Sequence, residues 1–396
     1  MADGESVGWE TSLSEKLNRE QWPEELTDIV EKLSTGTPLS KEDGVFLFNY
    51  KDIDTLGYLA NTVKKARFSN RAFFNLNVHI NQTNICTLAC KFCAFRRGRR
   101  AADAYQMEID DYVEDLRKYS EFVDEVHSVG GLHPEWDVDH YCNLFQRVKL
   151  EFPRIHIKAL TAVEVKHIAN LSGITVLETL SRLKDSGLGS LPGGGAEILD
   201  DDVREVICKG KESSDEYLSI HEDAHSIGLP TNCTMLFGTI ETIEHRVEHM
   251  IKLRNLQEKT SGFQCFVPYP YLPDDSRLPQ AQLASGTEIL RVIAISRLML
   301  NNIPHIKAYR MNLGDYVAEL ALQFGADDID GTVQKESIMH LAGSKASLDF
   351  DKNQIAKLVS NAGLIPIQRN TTYTDFVEYI PKKSSVIKTL QMVCGD

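Results

Sequence analysis

The sequence predicts an α/β chain built on a (β/α)8 barrel of the TIM type, with a helical N-terminal extension and a C-terminal segment packed on it. Three observations predict this. From about residue 75, short apolar, β-branched runs alternate with longer amphipathic stretches, the pattern of a parallel sheet covered by helices. The alternation passes through about eight units between residues 75 and 335, and roughly 250 residues is the usual size of such a barrel. Polar and glycine-rich clusters follow the strand candidates one after another, at the end of the barrel where this fold places its chemistry.

Residues 1–74 read as helical. Thr37-Pro38-Leu39-Ser40 punctuates them, and Ser40 is suited to an N-cap with Glu42 and Asp43 in the first turn that follows. Leu47, Tyr50, Ile53, Leu56 and Leu59 recur at helical spacing, so this segment is expected to pack on the barrel. Strands are expected at 75–85, 125–129, 156–160, 187–191, 231–237, 263–268, 305–309 and 328–331. Helices are expected at 109–122, 141–151, 201–208, 214–227, 243–257 and 287–301. The barrel domain spans 75–335, and residues 336–396 are expected to be helical or irregular.

Composition excludes some functions. The chain has 396 residues and a net charge of -14, and it repels phosphate backbones, which argues against general nucleic-acid binding. No apolar run has the length of a membrane span. Nothing at the N-terminus resembles a secretory signal, and unpaired thiols suit the cytoplasm. The basic run Arg96-Arg97-Gly98-Arg99-Arg100 stands against the acidic balance; it reads as a solvated loop or as a surface for an acidic electron donor.

Cys86, Cys90 and Cys93 carry the strongest signal. Three and then two residues separate them, directly after the first strand. Thiolates so close can converge on one inorganic centre. A structural zinc site needs four ligands, and no second cysteine pair follows; the remaining cysteines, Cys142, Cys208, Cys233, Cys265 and Cys394, are scattered singly. Three thiolates on a four-iron cluster leave one iron open to a small ligand.

Cys-x3-Cys-x2-Cys with Phe92 before the last cysteine resembles the signature of radical S-adenosylmethionine enzymes. The resemblance implies a [4Fe-4S] cluster, S-adenosyl-L-methionine on its open iron and the barrel typical of that superfamily. It also implies that Gly130 and Gly131 receive the methionine amino group, and that Gly193 and Gly194 cradle its carboxylate or ribose. Glu164 and Glu197 would bind ribose hydroxyls or the amino group, or pair with Lys158 or Lys307. Across almost the whole chain, Val129-Gly130-Gly131-Leu132-His133-Pro134, Lys158-Ala159-Leu160-Thr161-Ala162-Val163-Glu164, Leu191-Pro192-Gly193-Gly194-Gly195-Ala196-Glu197-Ile198 and Pro304-His305-Ile306-Lys307-Ala308-Tyr309 resemble aminofutalosine synthases of the futalosine route to menaquinone.

That family would add the adenosyl group to 3-[(1-carboxyvinyl)oxy]benzoate, giving 6-amino-6-deoxyfutalosine, methionine and bicarbonate. A low-potential donor such as flavodoxin or ferredoxin would supply electrons. His133 is the expected proton shuttle or carboxylate donor, and Arg310, Thr239 and Tyr269 are the expected acceptor contacts. Asp328 and Asp330 are read as strand residues or loop caps. Thr239, the run 263–271 and Arg310-Met311-Asn312 depart from the family pattern. The rival enzymes are cyclic dehypoxanthine futalosine synthase or a deazaflavin-pathway enzyme, and a different class is a non-catalytic iron–sulfur carrier.

Overall fold

The computed structural model describes residues 4–348 and 350–382. Cys394 and the end of the C-terminal segment lie outside these residues. The strands are β1 (Arg71–Asn75), β2 (Asn77–His79), β3 (Glu125–Ser128), β4 (His156–Ala159), β5 (Leu188–Ser190), β6 (Thr231–Phe237), β7 (Phe263–Pro270), β8 (His305–Ile306), β9 (Asp328–Gly331), β10 (Ile365–Arg369) and β11 (Phe376–Glu378).

Strands β2-β3-β4-β5 pair in parallel, as do β6-β7-β8, and β9 pairs in parallel with β1. Single parallel bridges, Leu191 to Thr231 and Lys307 to Asp328, join these sheets. β1 and β2 form one strand bent at Leu76, and through it the ring closes as a parallel barrel. The fold is the barrel the alternation predicts.

Helices begin where the sequence supplies caps. Ser40 accepts from the Asp43 amide in a reciprocal capping box at Lys41–Asn49, as its position predicts. Ser213 and Thr161 cap Ser214–Ser226 and Ala162–Ser172 in the same way. In the N-terminal region, Ile53–Phe68 packs along Gly286–Met299. Gly57 in the same helix lets the Phe324 ring approach closely, because a Cβ would fall against that ring.

Three expectations are corrected. The first strand ends at His79, because residues 82–86 bond instead to 97–107: Met107 N donates to Gln82 O, Asn84 N to Tyr105 O, and Cys86 N to Arg97 O. Two helices, Ala162–Ser172 and Val176–Asp185, occupy a stretch left without elements. The C-terminal region is not merely helical or irregular. Its strand β10 pairs in parallel with β1, and β11 pairs antiparallel with β10.

This C-terminal addition closes the barrel from below. Arg369 Nε donates to Asp328 Oδ2 at 2.6 Å, and the Tyr373 hydroxyl donates to the same oxygen at 2.8 Å. The Thr371 hydroxyl donates to Glu125 Oε2 at 2.7 Å. Removing one partner of a fully buried ion pair strands the other charge, a loss of roughly 3–5 kcal/mol. Arg369→Met should therefore lower stability in urea unfolding by roughly that amount. Arg310→Met, whose partner Asp315 is 37% exposed, should cost clearly less.

Candidate functional site

Side chains alternate across a strand, so every second residue of a barrel strand faces the lumen. Asn232, Thr234 and Leu236 from β6, Val267 and Tyr269 from β7, and Lys307 and Tyr309 from β8 onward all do so. They line a cavity of about 300 Å³. Cys86, Cys90 and Cys93 line its upper end, with Gly130, Gly194, Glu197 and Lys211.

The loop bearing the cysteines is held by its own backbone bonds. Arg97 N donates to Asn84 O at 2.7 Å, Thr87 N to Leu132 O at 3.1 Å, and Lys91 N to Ile207 O at 2.8 Å. Burial pushes the Cys90 thiol up to about 12, and Cys93 is raised for the same reason. A thiolate here thus needs a cationic partner, which iron provides. All three are free thiols. Among the described residues no three His, Cys, Asp or Glu side chains converge as ligands of one metal ion. A cluster takes its ligands on separate irons, so a loop of three thiols at a cavity mouth fits it. Cys86, Cys90 and Cys93 would hold the [4Fe-4S] cluster.

The glycine turns fit the cysteine loop closely. Gly131 N donates to Thr83 O at 2.8 Å, and a Cβ on Gly131 would fall on the Ile85 carbonyl. Gly193 has φ +85° and would clash with the Asn232 carbonyl if it carried a Cβ. Gly131 and Gly193 shape the site from behind, whereas Gly130 and Gly194 face the cavity.

The two glutamates separate. Glu197 lines the cavity and pairs with Lys211, not with Lys158 or Lys307. Burial alone would lower Lys211, but Glu197, Cys90, Glu212 and Cys208 together outweigh it and hold the ammonium well above its ordinary value. The Lys211 ammonium also lies over the Phe92 ring, 5.5 Å from its centroid. Glu164 does not reach the cavity. Its Oε2 accepts from Thr161 N and Oγ1, both at 2.7 Å, and its Oε1 accepts from Gly130 N at 2.9 Å. It caps a helix and fixes the Gly130 turn at once, and burial pushes its carboxyl up to about 7.

Tyr269 lines the cavity; His133, Thr239 and Arg310 do not. The His133 ring stacks on Trp136, bonds Gln106 through Nε2 at 2.9 Å and accepts from the Glu135 amide through Nδ1. Thr239 donates to Glu241. Arg310 donates to Asp315 and to the Ser347 carbonyl and lies over Phe350. Each side chain is engaged in holding a loop.

The lumen is also lined by His79 and His127, which no motif marks, and by Lys158, Lys307 and Asp330, expected only as pairing partners or as a strand residue or loop cap. Lys158 Nζ lies 2.9 Å from Glu125 Oε2, and Lys307 Nζ lies 2.6 Å from Asp330 Oδ1. Burial would raise the Glu125 and Asp330 carboxyls, but the lysines beside them hold both well below the usual range. Burial keeps His79 and His127 neutral. Asp328 and Asp330 are ion-paired strand residues, not loop caps.

The chain is similar to known proteins over most of its length. Residues 80–253 match the family model of the radical SAM superfamily, and residues 260–383 match that of the CofH/MqnC C-terminal region. Aminodeoxyfutalosine synthase of Thermus thermophilus is 38% identical over 355 residues, covering 88% of this chain and 95% of that one. The chain belongs to the radical S-adenosylmethionine superfamily, in the branch of aminodeoxyfutalosine synthase. Members of this superfamily use a [4Fe-4S] cluster and S-adenosylmethionine. The 5-amino-6-(D-ribitylamino)uracil–L-tyrosine 4-hydroxyphenyl transferase of Methanothermobacter thermautotrophicus is also similar, 40% identical over 346 residues, covering 85% of this chain and 94% of that one. The crystal structure of methylornithine synthase aligns with a TM-score of 0.69 at 19% identity, over 85% of this chain and 96% of that one, and shows the shared fold.

Two outcomes check this geometry. Gly131→Ala should displace the cysteine loop and leave reconstituted protein with less than about half its iron and sulfide, because overpacking against backbone cannot relax as a side chain would. Glu164 takes up its proton more readily folded than unfolded, so its contribution to stability is largest below about pH 4.5 and falls as pH rises through about 7. Urea unfolding of wild type against Glu164→Gln at pH 5 and 8 should show wild type losing on the order of 3 kcal/mol relative to the variant.

Proposed function

We propose that the protein is an aminofutalosine synthase, joining the adenosyl group of S-adenosylmethionine to 3-[(1-carboxyvinyl)oxy]benzoate to give 6-amino-6-deoxyfutalosine, methionine and bicarbonate. The chemistry that the cluster and S-adenosylmethionine supply when bound is a carbon-centred adenosyl radical. One observation carries the reading: a single cavity runs from the three cysteines to two buried lysines. A radical source and an acidic acceptor would share one space.

The chain's residues bind, orient and exclude water. Glu197 and the backbone of Gly130 and Gly194 border the cysteine end and would contact S-adenosylmethionine. Glu164 keeps the Gly130 turn in place. Val267, Tyr269 and Tyr309 wall the space where an aromatic acceptor would lie, and their apolar faces keep water out. The cluster that Cys86, Cys90 and Cys93 would hold would take its electrons from a low-potential donor such as flavodoxin or ferredoxin. Arg96 and Arg97 have partners within the loop, Arg99 pairs with Glu135, and the exposed part of the run flanks the cysteines as a docking surface. Free thiols suit a reducing cytoplasm. Among the described residues no helix is long and apolar enough to cross a membrane.

The 40% identity to the 4-hydroxyphenyl transferase favours a second reading, a radical enzyme whose acceptor is not the enolpyruvyl benzoate. Products separate the two. An anaerobic reaction with reductant, S-adenosylmethionine and the enolpyruvyl benzoate, read by mass spectrometry, should give the adenosylated adduct. 5′-Deoxyadenosine alone would favour the second reading. Cys86→Ala, Cys90→Ala and Cys93→Ala should each abolish adduct formation and the four-iron absorbance together.

A further inference from the structure

The cavity floor carries bonding capacity that the protein itself leaves unused. Lys158 and Lys307 are 2% and 3% exposed. An ammonium has three N–H donors, yet each lysine has one acceptor, Glu125 or Asp330. Beside them the His79 ring, 4% exposed, leaves Nε2 without a partner. It stacks on His127 at 4.3 Å between centroids, and both rings line the cavity. Buried hydrogen-bonding capacity left unused is costly, and the acceptor atoms of a ligand would relieve that cost.

The lysines are also held in place. Glu125 Oε2, the partner of Lys158, accepts from Asn75 Nδ2 at 2.9 Å and from Thr371 at 2.7 Å. The carboxylate is thereby fixed by β1 and the C-terminal plug, and the ammonium is fixed by the carboxylate. The other acids facing the cavity near this end are engaged: Asp330 by Lys307, and Glu336 by the amides of Met339 and His340. Above the floor the walls turn apolar and aromatic, with Leu236, Val267, Tyr269 and Tyr309. Apolar walls ending in fixed cationic donors suit a flat ring that carries a carboxylate.

We propose that Lys158 and Lys307 form a carboxylate-binding floor that seats the acid group of an aromatic acceptor, with its remaining substituent directed toward the cysteine end. The identity of that acceptor rests on the adenosyl-transfer reading; the floor itself does not. Its position sets the direction of binding: Lys158 reaches down to Glu125, the first residue of β3, whereas the cysteine loop follows the end of β2.

The test is equilibrium binding of benzoate and of uncharged benzamide to iron-loaded protein with S-adenosylmethionine. Wild type should prefer benzoate by about tenfold or more, the scale of a charge-assisted bond over a neutral one. Two charge-neutral double variants, Lys158→Met with Glu125→Gln and Lys307→Met with Asp330→Asn, avoid leaving a lone buried acid. Each should bring the preference to within about twofold while S-adenosylmethionine binding persists. If one pair fails to fold, the other carries the test. No preference in wild type, or full preference in a folded variant, would overturn the proposal. Wild type that prefers benzoate yet forms no adduct with the enolpyruvyl benzoate would sink the reaction and leave the floor standing. Adduct formation without any benzoate preference would do the reverse.

Discussion

Three buried ion pairs, Glu125 with Lys158, Asp330 with Lys307 and Asp328 with Arg369, tie β3, β4, the end of β8, β9 and the C-terminal strand β10 together beneath the cavity. Burying charges is costly, and attraction offsets the cost only where further hydrogen bonds satisfy the groups. On the lower side Asn75 and Thr371 reach Glu125 Oε2 and Tyr373 reaches Asp328, while Glu125 Oε1 and Arg369 Nη2 have no hydrogen-bond partner among the described residues. The barrel interior is consequently polar at its base and needs the C-terminal strand as its plug. A wholly apolar lumen would pack shut with side chains, as small barrels do. Charges held apart by fixed partners keep the space above them open.

The upper end is governed by backbone contacts. The turn at Gly130 and Gly131 sits under the cysteine loop with no room for a side chain at Gly131, and Glu164 fastens it through the Gly130 amide. Residues expected to touch a ligand thus divide into those that do face the cavity, such as Glu197, and those that set the shape of the loops, such as Glu164 and Gly193. Both kinds sit at strand ends, which explains why motif position alone does not separate them.

The barrel and the cysteine triad were legible because each depends on local pattern: strand–helix alternation for one, close spacing for the other. His133, Thr239 and Arg310 bond within their own loops, because a polar residue after a strand can do so as readily as face the lumen. The floor carries no signal in the loops. Its signal lay inside the strands, in Asn77-Val78-His79, Glu125-Val126-His127, His156-Ile157-Lys158 and Asp328-Ile329-Asp330, where polar residues alternate with apolar ones. In a barrel sheathed by helices the apolar set faces outward, so the polar set must line the lumen. The pairing of Arg369 and Thr371 with strands far away in sequence had no local signal at all.

One cavity with a radical source at its cysteine end and an acid group seated at its lysine end is the central claim. The most direct measurement is a crystal structure of the iron-loaded enzyme, grown anaerobically with S-adenosylmethionine and the enolpyruvyl benzoate. It should place the methionine group beside Gly130 and Glu197 and an acceptor carboxylate within hydrogen-bond distance of Lys158 or Lys307. An acceptor bound with both carboxylates at the rim, and the two lysines still bonded only to Glu125 and Asp330, would contradict it.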